Sequence, residues 1–505
     1  MPKYLVHARH LLAFAWLVLA PGACGGAGAT PFGEAAGGDG GSASQGQSAN
    51  DGGTVTMGTA PGATDDAGSP IAVVDAGSAG DASKTTLQGD AGLALPGISV
   101  SGAGFVDSTG AEFIPRGFGI GEWHNIEAYM LDINENDDIG GIGETKLHLD
   151  LASLIGQSDT TMFFTTWESN VVTEADVEEW AAWGANTVRL PMNYHALTTA
   201  DGTYLEAGFQ TMDTFIAWCK ANHIYVILDL HAAPGAQNVE ESADSLDGGA
   251  GLWTEPATYR QWTIDLWETI AKRYADETAV MGYDLFDEPS SEETSSGADL
   301  SSAVGGIAAL RQMYVDITSA IRTVDGSHVV FIEGTNFAAD PGFDGLTPAW
   351  DPQMAWSFHK YWDDNDTASI QPYLDLRTST NRPVWNGETG ENSYVWNAAM
   401  IALLEANKIG WNMWTYKKAN GSGAYSDPSQ NSSGDKSPAE PTQPYGIDEP
   451  SGYSSVAGYL AGNGSAPSSS AASAAVLAFA ANAATTKCAC NGAFLTSVFK
   501  GAACP

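Results

Sequence analysis

The run Val280–Asp287 reads VMGYDLFD and is followed by Glu288-Pro289; the run Val384–Glu388 reads VWNGE and is followed by Thr389-Gly390. Each is a short apolar stretch that finishes on a carboxylate and then breaks at Pro or Gly. Near-continuous apolar runs of this length suit strands covered on both faces. Six more runs share the texture: Phe113–Gly121, Thr187–Asn193, Tyr225–His231, His328–Gly334, Ala355–Tyr361 and Gly410–Tyr416. Between them, Glu174–Gly184, Met212–Asn222, Tyr259–Tyr274, Leu300–Val324 and Tyr394–Asn407 fit a helical period. Thr173 precedes the first of these with Asp176 three residues later, close to a capping box. Strands alternating with helices imply a parallel sheet. Eight such units predict a closed (β/α)8 TIM barrel over 96–505. The first connection, Glu122 to Val172, is long enough to be an insertion with elements of its own. The helix expected near Ala471–Thr486 would be the eighth of the barrel, with Ser422–Pro441 an extended loop before it.

Chemistry in such barrels sits at the carboxyl ends of the strands. The first run supplies Arg116 and the cluster Gly117, Gly119 and Gly121. The later ones supply Arg189 and Asn193, Asp229 and His231, Asp287 and Glu288, Glu333 and Asn336, His359 and Tyr361, then Glu388, then Trp414. Polar groups recurring at one end of apolar strands are not required by a purely structural barrel. Glu288 and Glu388 face each other across the expected barrel mouth. Two opposed carboxyls are what glycoside hydrolysis needs: one protonated to serve the leaving oxygen, the other ionised to attack the anomeric carbon or activate water.

The rest of the chain narrows the setting. The net charge of −40 opposes nucleic-acid binding and adsorption to anionic membranes. Met1–Ala23 has Lys3 and Arg9, the short apolar run Leu11–Ala20 and then small residues, the pattern of an export signal. Cys24 follows Gly22-Ala23 as in a bacterial lipobox, although Pro21 stands where Leu is usual. It is a lipidation candidate, and export or lipid anchoring to a bacterial surface is expected. Residues 24–95 are Gly-, Ala-, Ser- and Asp-rich, with Phe32 the only aromatic, and should form a disordered tether. In an oxidising compartment, either Cys488 or Cys490 is expected to bridge to Cys504, while Cys219 is expected to be buried and unpaired. No His-x-x-x-His spacing supports a metal site, and no cysteine spacing suggests zinc. A monomer is expected.

Seven motifs in order make the chain resemble glycoside hydrolase family 5, the cellulase-like retaining enzymes. They are RGFGIGEW (116–123), NTVRLPMNY (186–194), DLHAAPGAQN (229–238), FDEP (286–289), SFHKYW (357–362), WNGETGEN (385–392) and GWNMWTYK (410–417). The resemblance implies that Glu288 is the general acid/base and Glu388 the nucleophile. It implies that Arg189 and Tyr361 hold Glu388, that His231 and His359 line the sugar site, and that Trp414 is the stacking platform. No cofactor is implied, because two carboxylates suffice. Asp287 departs from the family, which has Asn there to donate to the sugar 2-hydroxyl. An ionised Asp cannot donate, so Asp287 is expected either to accept from that hydroxyl or to be protonated. The expected substrate is a β-linked oligo- or polysaccharide, first a β-1,4-glucan cut as an endoglucanase would. An exo-acting β-1,3-glucanase, a β-mannanase, and a sugar-binding barrel with weakened turnover are the alternatives.

Overall fold

The computed structural model describes residues 95–505 apart from 134–141, 247, 291, 295–296, 300–305, 362 and 421–440. The expected export signal, Cys24 and the expected tether up to residue 94 lie outside the described residues, as does nearly all of Ser422–Pro441. No helix among the described residues is long and apolar enough to cross a membrane.

Eight parallel strands close into a barrel: β1 (Arg116–Gly119), β2 (Thr187–Asn193), β3 (Tyr225–Ala232), β4 (Val280–Asp284), β5 (Val329–Glu333), β6 (Met354–Lys360), β7 (Val384–Gly390) and β8 (Gly410–Trp414). The ring runs in chain order and closes where Met413 of β8 pairs with Phe118 of β1. Strands β2 to β8 are buried at every position, which is why their sequences read as continuous runs and not as alternations. The expected runs match these strands to within a few residues. The first run overshoots most: Glu112–Phe113 belongs to a small antiparallel sheet with Ile98–Ser101 and Gly104–Asp107. That sheet covers the amino end of the barrel, with Phe113 5.0 Å from Tyr225 at the start of β3.

The first connection carries two helices, α1 (Glu144–Ile155) and α2 (Gln157–Val171), before the first barrel helix α3 (Glu174–Trp183). Helix α3 opens on the Thr173/Asp176 capping box and stops at Gly184, whose φ of 97° is favourable only for glycine. Helices α4 (Glu206–Ala221), α5 (Pro256–Tyr274), α6 (Gly306–Val324), α7 (Thr367–Thr380) and α8 (Tyr394–Ala406) follow β2, β3, β4, β6 and β7. Strand β5 is followed only by the short turn Thr335–Ala338.

The structure corrects the eighth helix. The helix over Ser469–Asn482, α9, packs on the insertion and not on the barrel: Phe479 stacks on Trp167 of α2 at 5.6 Å. The eighth place belongs to α10 (Gly492–Val498), which packs on α8. Phe499, just after it, lies 5.1 Å from Phe118 in β1 and 5.3 Å from Trp411 in β8. A Cys490–Cys504 disulfide spans α10, while Cys488 and Cys219 are free thiols, Cys219 buried.

Candidate active site

The carboxyl ends of the strands converge on one buried cation. Arg189, in the middle of β2, is fully buried, and its guanidinium reaches five carboxylates. Nη1 donates to Glu388 Oε1 at 2.5 Å, and Nε donates to Asp284 Oδ2 at 3.0 Å. Nη2 donates to Asp287 Oδ1 and Glu333 Oε1, both at 3.1 Å, and lies 3.2 Å from Asp229 Oδ2. The planar fork of arginine permits this; a lysine ammonium would not span it.

Two buried histidines complete the cluster. His359 Nδ1 lies 2.7 Å from Glu288 Oε1 and 3.5 Å from Glu388 Oε2, while its Nε2 lies 3.0 Å from Glu333 Oε1. His231 Nδ1 lies 2.7 Å from Asp229 Oδ2; its Nε2 lies 2.9 Å from Glu127 Oε1 and 3.4 Å from Asp287 Oδ2. Burial opposes the charged form of each ring. The surrounding carboxylates outweigh it and raise both histidines well above their ordinary range, so both carry a proton. Burial alone would raise Glu333, but His359, Arg189 and the Glu288 N–H bring it below the ordinary value. Asp284 and Asp287 go the other way, well up, from burial first and then from neighbouring carboxylates. Burial lifts Glu127 to about 7.

The remaining expected residues fall into place around this cluster. Tyr361 donates to Glu388 Oε2 at 2.7 Å. Glu288 leaves β4 with φ at 41°, a strained backbone for a non-glycine residue, pinned by its N–H donating to Glu333 Oε2 at 2.8 Å. Gln237 ties the β3 and β4 loops together, donating to the carbonyls of His231 at 2.7 Å and Asp287 at 3.0 Å. The glycines of RGFGIG acquire a reason: a Cβ on Gly119 or Gly121 would stand 2.5 or 2.3 Å from the Trp414 ring, so both glycines let that ring lie against β1. The pocket above holds about 630 Å3 counting space open to solvent. Glu127, Tyr129, Asp287, Glu288, Phe337, Tyr361, Glu388, Glu391 and Trp414 are among its lining.

Not every expected strand-end residue belongs here. Arg116 is the first residue of β1, at the opposite end of the barrel, and pairs with Glu405 of α8. Asn193 is at the correct end but serves the loops, donating to Asp244 Oδ2 at 3.1 Å and Glu144 Oε2 at 3.3 Å. His359 lines the carboxyl pair and is absent from the pocket surface. The site also contains Glu127, Tyr129, Asp284, Glu391 and Lys418, which the sequence reading did not single out. The acid-and-tyrosine tract IEAY (126–129), in the connection after the first strand, was the available signal. Two trios, Asp229–His231–Asp287 and Asp287–His359–Glu388, bring ligand atoms within 4.8 Å of one another. Both include Asp287, already engaged by Arg189.

The model for cellulase, glycosyl hydrolase family 5, matches residues 153–420. The chain belongs to glycosyl hydrolase family 5. It is a glycoside hydrolase on a TIM barrel. A β-xylosidase of Phanerodontia chrysosporium is 29% identical over 358 residues, 63% of this chain and 70% of that one. Endoglucanase C of Acetivibrio thermocellus is 22% identical over 309 residues, 49% and 84% of the two chains. A probable glucan 1,3-beta-glucosidase A of Aspergillus fumigatus is 26% identical over 255 residues, 50% and 56%. The crystal structure of an endogalactoceramidase shares the fold, with a TM-score of 0.50 at 20% identity over 73% of this chain and 85% of that one.

Proposed function

We propose that this hydrolase cleaves the β-glycosidic bonds of a β-glucan with retention, Glu388 acting as nucleophile and Glu288 as acid/base. One observation carries the reading. Glu288 Oε1 and Glu388 Oε2 lie 2.7 and 3.5 Å from the same His359 nitrogen. These oxygens are therefore no more than 6.2 Å apart, whereas inverting enzymes hold their carboxyls about 6.5–9.5 Å apart to admit a water. Arg189 and Tyr361 each donate to one oxygen of Glu388, which fixes the carboxylate for in-line attack.

In the first step Glu388 forms an ester with the anomeric carbon while Glu288 gives its proton to the departing oxygen. In the second, Glu288 takes a proton from water, the water oxygen bonds to the anomeric carbon, and Glu388 leaves. Trp414 supports the ring's C–H face. The same reading includes export: the signal-like Met1–Ala23 and the tether would carry the barrel outside, held by lipid at Cys24 or released. Mass spectrometry of the mature N-terminus distinguishes these.

The test is NMR of the anomer first formed from cello- and laminari-oligosaccharides. Retention gives the β-anomer first, and Glu388→Ala abolishes turnover. An α-anomer first, or an active Glu388→Ala, overturns the reading. The β-1,4 linkage is the first expectation among substrates, supported by the endoglucanase relatives.

A further inference from the structure

We propose that Tyr129, Glu391 and Lys418 form an end wall that binds the free hydroxyls of a non-reducing terminal sugar, so that this hydrolase removes single sugars from chain ends. This rests on the retaining assignment above. In a ring ordered β5-β6-β7-β8-β1-β2-β3-β4, the β4–β5 edge is diametrically opposite the β8–β1 edge. Glu288 follows β4 and Phe337 follows β5, and both line the pocket. The acid must touch the leaving oxygen, so the leaving group exits on this side. The part of the substrate that becomes attached to Glu388 therefore points towards β8 and β1, over Trp414.

That side is closed by a hydrogen-bonded chain. Trp414 Nε1 donates to the Tyr129 hydroxyl at 3.0 Å, and Tyr129 donates to Glu391 Oε1 at 2.9 Å. Lys418 Nζ donates to the same Glu391 oxygen at 3.0 Å. Tyr129 comes from the β1 insertion and Glu391 from just beyond β7, so their bond passes over the end of β8 and joins two loops into one barrier. All four side chains are buried or nearly so. Lys418 is wholly buried and also sits 5.5 Å from the centre of the Tyr129 ring, which holds the charge of Glu391 in place.

The chemistry of the wall selects what can meet it. A carboxylate accepts hydrogen bonds and cannot donate. Glu391, on the pocket lining, can accept from the free hydroxyls of a terminal ring. An internal sugar presents a glycosidic oxygen at one of those positions, which has no proton to give and carries a further ring into the wall.

The experiment uses the full chain, with cellopentaose and laminaripentaose as free-ended probes. A nitrophenyl cello-oligoside whose terminal ring is capped by a 4,6-O-benzylidene group is the blocked probe. The wild type is expected to release a monosaccharide as its initial product and to be at least 100-fold slower on the capped substrate. Tyr129→Phe keeps the ring but removes the bridge to Glu391. It should lower kcat/KM on free-ended substrates by about 10- to 100-fold, as loss of a charge-assisted hydrogen bond does, and leave the capped rate no lower. Initial products of two or more sugars, or equal rates on capped and free substrates, with Glu388→Ala still inactive, would overturn the wall while leaving the retaining reading intact. Inactivity of the wild type on every probe would overturn both.

Discussion

Asp287→Asn tests the position where the family resemblance leads to an expectation of Asn. Asp287 is 2% exposed and directly precedes Glu288. Burial, then the charges of Glu388 and Glu333, raise its pKa well above the ordinary carboxyl range, against the opposing pull of His231 and Arg189. While protonated, its carboxyl can donate to a sugar hydroxyl as an amide would; once ionised it cannot. The alkaline limb of the wild-type profile should therefore include the loss of this proton. Asparagine donates at every pH, so the limb should move to higher pH in the variant. Above the wild-type limb, the variant should gain what one hydrogen bond to a charge-developing transition state contributes, about 1.5–3 kcal/mol, or roughly 10- to 150-fold in kcat/KM. Stability gives a second readout with a fixed sign. A carboxyl whose folded pKa lies above its unfolded value of about 3.9 makes the fold lose stability as pH rises between the two. Asn removes that loss, so the variant should gain on the wild type in unfolding free energy as pH increases. The assays are kcat/KM on an aryl β-glucoside and urea unfolding, both over about pH 4 to 8. Superimposable pH–rate profiles would refute the protonated-donor argument.

Other perturbations act on different parts of the same frame. Arg189→Lys leaves buried carboxylates without their fork-shaped partner. It should cost about 3–5 kcal/mol in urea unfolding and reduce turnover by well over 100-fold. Gly121→Ala would drive a methyl to 2.3 Å from the Trp414 ring and displace the platform. Sugar affinity measured by calorimetry in a Glu388→Ala background should fall by an order of magnitude or more. Cys504→Ser opens a 14-residue loop around the eighth helix. It should lower the urea midpoint by an amount equivalent to about 3 kcal/mol, with kcat unchanged at low temperature.

The barrel was legible because its strands are buried on both faces, which writes them as apolar runs ending in polar residues. The direction of each strand then assigned the chemistry to one rim. That rule failed at Arg116, which begins β1 instead of ending it and serves the lower rim with Glu405. The eighth helix was misplaced for a different reason. Ser469–Asn482 is a small-residue helix whose pattern fits any groove, and only its Phe479–Trp167 stack reveals which groove it fills. Rim residues within the expected runs, and Glu288 one residue beyond its run, were found except Asp284; Glu127, Tyr129 and Glu391, on the connections, were not. Tyr129 and Glu391 are far apart in sequence, and their bond depends on how two loops fold over β8. No period or spacing in either loop encodes that meeting.

The charges around Arg189 explain why so many acids can be buried together. Seven carboxyl side chains, from Glu127, Asp229, Asp284, Asp287, Glu288, Glu333 and Glu388, surround three cations, Arg189, His231 and His359. Burial favours the protonated forms of Asp284 and Asp287 and lifts Glu127 to about 7. On the retaining assignment Glu288 starts protonated. When Glu388 becomes an ester and Glu288 gives up its proton, the negative charge passes from Glu388 to Glu288, and His359, 2.7 Å from Glu288 and 3.5 Å from Glu388, serves both. The net charge of the cluster is therefore the same before and after the first step. In a water-poor site, where an unbalanced charge is expensive, that symmetry removes a solvation barrier between the two halves of the reaction. It also places the protonated His359, and not Arg189 alone, at the pivot between the two carboxyls.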